Sequence, residues 1–316
     1  MTKSKSFGIL TSVVAAGILV MSSCTSGEAT SIDPSLRLSG AIRLDGSRTV
    51  APLMKRATAD FVEIHEAVDV TVATSGTGGG FEKFCAGEID IADASRPIQD
   101  AEARACSAHG IEYTRFLVAN DALAIVVNVD NDWLACVTVE QLRKIWEPAS
   151  KVTKWSQVDP GWDDEPVVLF GPGTESGTFD YFTSVINGED GASRTDYAAT
   201  EDDNVTVRGV EGARGGLGYF GFSYYEENAS NLKALEVDGG DGCVPPSART
   251  VQDGSYAPLA RPLFIYVANA ALARPEVKAF VDFYERNADK VAEEALFVPL
   301  TDEQKADVRK QLETLG

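Results

Sequence analysis

Histidine is almost missing from this chain: 316 residues contain two, His65 and His109. A hydrolytic triad or a histidine-built metal centre needs several such groups to converge. One of these reads as a helix-surface residue and the other as a loop residue. Cys106-x-x-His109 is half a zinc site, and the acidic runs Asp163-Asp164-Glu165 and Glu201-Asp202-Asp203 lack the spacing of a calcium loop, so no metal is expected. Cations are scarce too, with 28 Lys+Arg against 48 Asp+Glu and a formal net charge of −20. A field of that sign repels nucleic acid and anionic lipid, which sets both aside as primary partners. No Gly-Lys-Ser/Thr is present for a nucleotide loop, and the dinucleotide spacing fails at Phe81, so no cofactor is expected. Long apolar runs are lacking as well: residues 7–21 fall short of the ~20 that span a bilayer.

What remains is a globular composition, 44% hydrophobic and 24% charged, long enough for one large or two mid-sized domains. Lys3 and Lys5, the apolar run and then Ser22-Ser23-Cys24 read as a secretory signal over residues 1–23. The last three residues resemble a bacterial lipobox, with Met21 where an aliphatic residue is usual. Cys24 is therefore the expected lipidation site, followed by a tether over residues 24–35. The expected location is exported, lipid-anchored at the outer face of the cell membrane or periplasmic, with the membrane touched through the anchor only. Export also favours disulfides among Cys85, Cys106, Cys136 and Cys243. Three connectivities exist; the local spacing of 21 residues pairs Cys85 with Cys106 and leaves Cys136 for Cys243.

Strand and helix patterns alternate, which predicts an α/β protein. Val68, Val70 and Val72 have period two, Ile89 goes with Ile91, and residues 123–127 and 167–170 are short apolar runs. Leu53, Ala57, Phe61 and Ile64 share a helical face, as do Val277, Phe280, Val281 and Tyr284. Thr138-x-x-Gln141 and Thr301-x-x-Gln304 have capping-box spacing. The aromatic cluster Tyr219, Phe220, Phe222, Tyr224 and Tyr225 reads as a core edge.

Three small-residue segments sit where a strand should end and a helix begin: Asp45-Gly46-Ser47-Arg48-Thr49-Val50, Ser75-Gly76-Thr77-Gly78-Gly79-Gly80 and Gly173-Thr174-Glu175-Ser176-Gly177-Thr178. A fourth, Asp93-Ala94-Ser95-Arg96-Pro97, ends the strand around Ile91. Ligands of open α/β sheets collect beyond the carboxyl ends of strands, where the first N–H groups of helices are unpaired and the helix dipole is positive. Several such ends meeting at one place make an anion site with little side-chain charge. Ser176 as a nucleophile is disfavoured by the absence of Gly-x-Ser-x-Gly. Arg48 and Arg96 each follow a serine and carry the fork of donors that suits oxyanions.

In this order, Gly46-Ser47-Arg48-Thr49-Val50, Ser75 through Phe81, Ile89 through Ile98 and Ser176-Gly177-Thr178 resemble the PstS-like phosphate-binding proteins, the extracytoplasmic receptors of high-affinity phosphate ABC transporters. Gly171 through Phe182 and Leu217-Gly218-Tyr219-Phe220-Gly221 extend the similarity, which covers residues 38–295. The resemblance implies a two-lobed type II periplasmic-binding-protein fold with a hinge of two crossovers, near Asn120 and near Ile265. Lobe 1 would be 36–119 plus 266–316 and lobe 2 would be 120–265. It implies phosphate-binding roles for Thr49, Val50, Thr77, Ser95, Ser176, Gly177 and Thr178, with Ser47, Arg48, Gly78 and Arg96 beside them. It also implies a monomeric receptor with inorganic phosphate and ABC permease subunits as partners, and no catalysis. Other readings are a receptor for sulfate or molybdate, a secreted phosphate-ester hydrolase, or an anchored sensor. Many members carry an arginine four residues before the Ser-Gly-Thr serine; Pro172 stands there in this chain, so the positive charge is expected at Arg48 and Arg96. Asp45, Asp93 and Glu175 are the candidate acceptors for a ligand proton.

Overall fold

Ile42 and Leu44 alternate with exposed Ala41 and Arg43, and this stretch is the strand β1 (Gly40–Gly46) of a computed structural model that describes residues 38–314. The signal segment, Cys24 and the tether lie outside the described residues. The chain turns after β1 into α1 (Ala51–Ile64), started by Pro52 in its first turn. Leu53, Ala57 and Phe61 point into the core as their spacing predicts. Ile64, expected beside them, is 64% exposed because it closes the helix, beyond the neighbours that cover Phe61. β2 (Val68–Val72) runs parallel to β1 on one side; α2 (Gly76–Cys85) then leads to β3 (Ile91–Ala94), parallel on the other. Ile89 precedes β3 rather than belonging to it. α3 (Asp100–Ala108) is tied to α2 by a disulfide between Cys85 and Cys106.

The next strand, β4 (Tyr113–Asn128), is 16 residues long and serves both parts of the molecule. After it come β5 (Cys136–Thr138), α4 (Val139–Trp146), β6 (Val168–Gly171), α5 (Gly177–Phe182), β7 (Ala198–Ala199), α6 (Asp203–Gly212) and β8 (Gly216–Gly221). Three short strands, β9 (Leu232–Ala234), β10 (Glu236–Asp238) and β11 (Cys243–Val244), precede the returning β12 (Ala260–Ala268). The main sheet has the order β2-β1-β3-β12-β4-β8-β6-β7, with β9 also on β4, and a small sheet has the order β11-β10-β5. A second disulfide, Cys136 to Cys243, links β5 and β11 of that small sheet.

Residues 113–122 of β4 pair with β12, and residues 123–127 pair with β8. The sheet thus divides into two lobes that share one uninterrupted strand. Their cores are separate. Phe61, Phe116 and Phe280 anchor one, with Phe81, Phe84 and Tyr266 in a cluster of their own; Trp146, Trp155, Phe182 and Tyr219 anchor the other. Each fully buried side chain of this size contributes about 1.5–3 kcal/mol, so each lobe has its own means of cohesion. Leu259 belongs to the second core and Leu263 to the first, which locates the passage of β12 between lobes. A third segment crosses as well: Asn120 and Val298 form an antiparallel bridge, and Val298 lies in the second core.

Both capping boxes form. Gln141 N–H donates to Thr138 Oγ1 at 3.1 Å, and Gln304 N–H donates to Thr301 Oγ1 at 3.1 Å. Val277, Phe280, Val281 and Tyr284 are all buried, on the helix Pro275–Arg286. Tyr219 stacks on Phe182 with centroids 3.8 Å apart, and Phe220 and Phe222 are also buried. No helix among the described residues is long and apolar enough to cross a membrane.

Candidate functional site

Asp45 organises the end of β1. Its carboxylate accepts from Gly46 N–H at 2.7 Å, Ser75 N–H at 2.8 Å and Ser75 Oγ at 2.9 Å, and pairs with Lys83. Burial alone would raise its pKa; the Lys83 and Ser75 donors outweigh that and hold it below the usual carboxylate range. The loop before α1 is thereby stitched to the start of α2. Gly46, at φ 143°, brings β1 against β3: a Cβ there would lie 2.1 Å from the Asp93 carbonyl oxygen, which accepts from Ser47 N–H at 2.8 Å. Across from this, the Thr77 and Ser95 hydroxyls lie 3.1 Å apart and Ser95 N–H donates to Thr77 Oγ1 at 3.3 Å.

The second lobe meets these loops through α5. Gly177 touches the backbone of Thr49: a Cβ on Gly177 would lie 2.6 Å from Thr49 Oγ1 and 2.8 Å from Thr49 N. The Thr49 hydroxyl donates to the Gly177 carbonyl at 3.4 Å. Between the lobes lies a cavity of about 470 Å³, within the range of small-molecule sites. Of the residues expected there, Ser47, Arg48, Thr49, Thr77, Gly78, Ser95, Arg96 and Gly177 line it. Val50, Ser176 and Thr178 do not. The Val50 side chain is fully buried in the first core, and its N–H donates to Ser47 Oγ. The Ser176 hydroxyl caps α5 by accepting from Thr178 N–H at 3.1 Å, which occupies that N–H.

Three arginines line the cavity, each matched to a carboxylate. Arg96 forks onto Glu102, Nη1 to Oε2 at 2.8 Å and Nη2 to Oε1 at 2.7 Å. Arg48 reaches across to Asp180 at 3.1 Å, with its side chain 40% exposed. Arg261, on β12, is the least exposed of the three, its side chain 11% exposed. Its Nη2 donates to Thr49 Oγ1 at 2.7 Å, and its guanidinium carbon lies 3.6 Å from the Tyr181 ring centroid.

None of the three expected proton acceptors lines the cavity. Asp45 is saturated by Ser75 and Lys83, Asp93 is fully buried, and Glu175 is exposed and does not line the cavity. The carboxylates that do line it are Asp180 and Asp190. Burial raises the Asp180 pKa, and Arg48 offsets only part of that. Asp180, Tyr181 and Arg261 were therefore missed by sequence reasoning. Asp180 and Tyr181 lay inside the Gly171–Phe182 motif without an assigned role. Arg261 had one faint signal, a charge inside the apolar strand β12.

Comparison with known proteins agrees with this architecture. A family model described as a PBP superfamily domain matches residues 25–287. Protein SphX of Synechocystis is 48% identical over 268 residues, covering 84% of this chain and 80% of its own length. Phosphate-binding protein PstS of Staphylococcus saprophyticus is 37% identical over 280 residues, covering 87% and 85%. A crystal structure of a possible phosphate binding protein from Planctomyces limnophilus superposes with a TM-score of 0.85 at 48% identity, over 88% of this chain and 99% of that one. An ABC-type phosphate transport receptor from Vibrio cholerae shares the fold, with a TM-score of 0.65 at 24% identity over 81% and 99%.

Proposed function

Because this chain belongs to the PBP superfamily, and within it to the family of the SphX and PstS proteins, we propose that it is an extracytoplasmic receptor that captures inorganic phosphate between its lobes and delivers it to an ABC permease. The observation that carries this reading is the meeting of Thr49, Thr77, Ser95, Gly177 and Arg261 at one cavity, although they come from five different parts of the chain. A buried oxyanion is tolerated only when donors meet nearly all its lone pairs. Hydroxyls, helix-start N–H groups and one guanidinium from opposite sides supply such a set. The net charge of −20 does not oppose this, since distant charges are screened over about 8–10 Å and local donors decide.

The task is binding and release, without a chemical step. Closure of the lobes strips water from the anion, and the closed form presents a composite face to the permease. Lobe 1 is taken as residues 36–119 plus 266–316 and lobe 2 as 120–265. The change of core between Leu259 and Leu263 favours moving the return crossing a few residues earlier than Ile265. The site is complete within one chain, which supports a monomer. Cys24 is proposed to carry the lipid that holds the receptor at the outer face of the membrane.

Selection of phosphate over sulfate is assigned to Asp180, a half-buried carboxylate on the cavity wall that can accept a proton-bearing ligand oxygen. Calorimetry of the purified protein with phosphate, arsenate and sulfate tests the whole reading. Tight phosphate and arsenate binding with weak sulfate binding is expected; sulfate displacing phosphate at equal concentration would overturn it.

A further inference from the structure

Asp121 and Arg261 are direct cross-strand neighbours on β4 and β12, at the level where both strands pass from one lobe to the other. Arg261 Nε donates to Asp121 Oδ2 at 3.1 Å, and the two side chains are only 11% and 8% exposed. Arg261 Nη2 donates to Thr49 of lobe 1, while its guanidinium carbon lies over the Tyr181 ring of lobe 2. The Tyr181 ring is itself fixed, its hydroxyl donating to the Pro258 carbonyl at 2.5 Å. Among the described residues Nη1 makes no hydrogen bond to protein, although Arg261 lines the cavity and Asp121 does not. A guanidinium has five donors in a rigid fork; here Nε and Nη2 hold it in place and others remain for a ligand.

From this geometry we propose that Arg261 is the ligand-facing cation of the site and that Asp121 is the residue that positions it. The inference rests on the receptor reading above and gives it a specific charge carrier. Arg96 has both terminal nitrogens on Glu102, and Arg48 is exposed and held by a carboxylate that itself faces the cavity. Arg261 is the least exposed of the three and is oriented from behind by a carboxylate outside the cavity. A buried ion pair is a poor stabilising device compared with apolar packing, so the arrangement is better explained by the orientation it gives the fork. Since the same guanidinium touches Thr49 and Tyr181, an oxyanion bound to it joins the lobes where β4 and β12 pass between them.

The test uses the purified protein and its Arg261→Gln, Arg261→Lys and Asp121→Asn variants, with phosphate affinity measured by calorimetry across pH and thermal unfolding measured without ligand. Arg261→Gln and Arg261→Lys are expected to weaken binding by about 10- to 100-fold, because Gln lacks the charge and Lys lacks the fork. Asp121→Asn is expected to weaken it by roughly tenfold with the charge of Arg261 intact. In the wild type, affinity is expected to rise as phosphate passes from monoanion to dianion, and in Arg261→Gln that rise is expected to flatten, which a purely structural residue would not cause. Wild-type affinity in all three variants, or a loss that follows the unfolding temperature while the pH profile keeps its shape, overturns the assignment. If the wild type does not bind phosphate, the receptor reading for that ligand fails by itself. The variants are then assayed with sulfate and molybdate, where the same losses support the assignment and unchanged binding, or no binding by any form, overturns it.

Discussion

Arg48 and Asp180 meet at 3.1 Å from opposite lobes, so a cation of one wall is matched by a carboxylate of the other. An arriving oxyanion competes with Asp180 for Arg48, and a protonated oxyanion can in turn donate to Asp180. Sulfate has no such proton. Asp180→Asn is therefore expected to narrow the phosphate-over-sulfate ratio by about tenfold or more, measured by competition calorimetry. An unchanged ratio would move the acceptor to another residue.

Arg48 and Arg96 should respond differently from one another. Arg96 is spent on Glu102, whose Oε2 also accepts from Gln99 N–H at 2.8 Å to cap α3. Arg96→Ala is expected to lower the unfolding temperature and leave phosphate affinity within about threefold. Arg48→Ala removes an exposed partner, and such pairs contribute little; a loss of less than about tenfold in affinity is expected. If either variant lost more than the Arg261 variants, the charge of the site would have to be reassigned.

Gly177 tests the contact between lobes. A methyl group there would collide with Thr49 Oγ1 and Thr49 N, both under 3 Å away, and the latter is backbone that cannot swing aside. Gly177→Ala is expected to prop the lobes apart and weaken phosphate binding by about 30-fold or more, with little change in the unfolding temperature of the empty protein. Scattering profiles with and without phosphate should then differ less than those of the wild type.

Asp93 makes stability depend on pH. Its side chain is 0% exposed and neither carboxylate oxygen has a partner. Burial, and secondarily the charge of Asp45, raises its pKa well above the ordinary value. The folded state thus keeps a proton that the unfolded chain releases near pH 4, so stability is full below that pH. It falls by roughly 1.4 kcal/mol per unit as pH rises toward the folded pKa. Asp93→Asn removes that slope. Urea unfolding at pH 5 and pH 8 should show the variant gaining on the wild type as pH rises; equal slopes would mean that Asp93 ionises freely.

The disulfide between Cys136 and Cys243 spans 107 residues. Closing a loop of that length stabilises by about 4–5 kcal/mol in the chain-entropy model, and by less where the unfolded chain retains structure. Cys136→Ser with Cys243→Ser is expected to cost about 2–5 kcal/mol in denaturant titration. Phosphate affinity should stay near wild type, because neither residue lines the cavity.

Much of this architecture was legible before any coordinates. The period of Val68, Val70 and Val72, the faces of α1 and of Pro275–Arg286, and both capping boxes express local rules that survive in the fold. The small-residue segments were legible for the same reason, since strand-to-helix turns need these residue types. Arg261 was not legible. A charge within an apolar strand marks no site by itself, and its role depends on Asp121, Thr49 and Tyr181, which are 140, 212 and 80 positions away. Val50, Ser176 and Thr178 show the opposite case. They stand in the right motif, yet local geometry turns the first side chain into the core and pairs Thr178 N–H with the Ser176 hydroxyl as a helix cap.

β4 has one further consequence. A receptor whose halves hang on loose loops can swing freely, whereas here a single hydrogen-bonded ribbon runs through both, braced by β12 and by Val298. Any change of angle between the halves has to be taken up along that ribbon and its ladder, which favours a limited bend over a free swing.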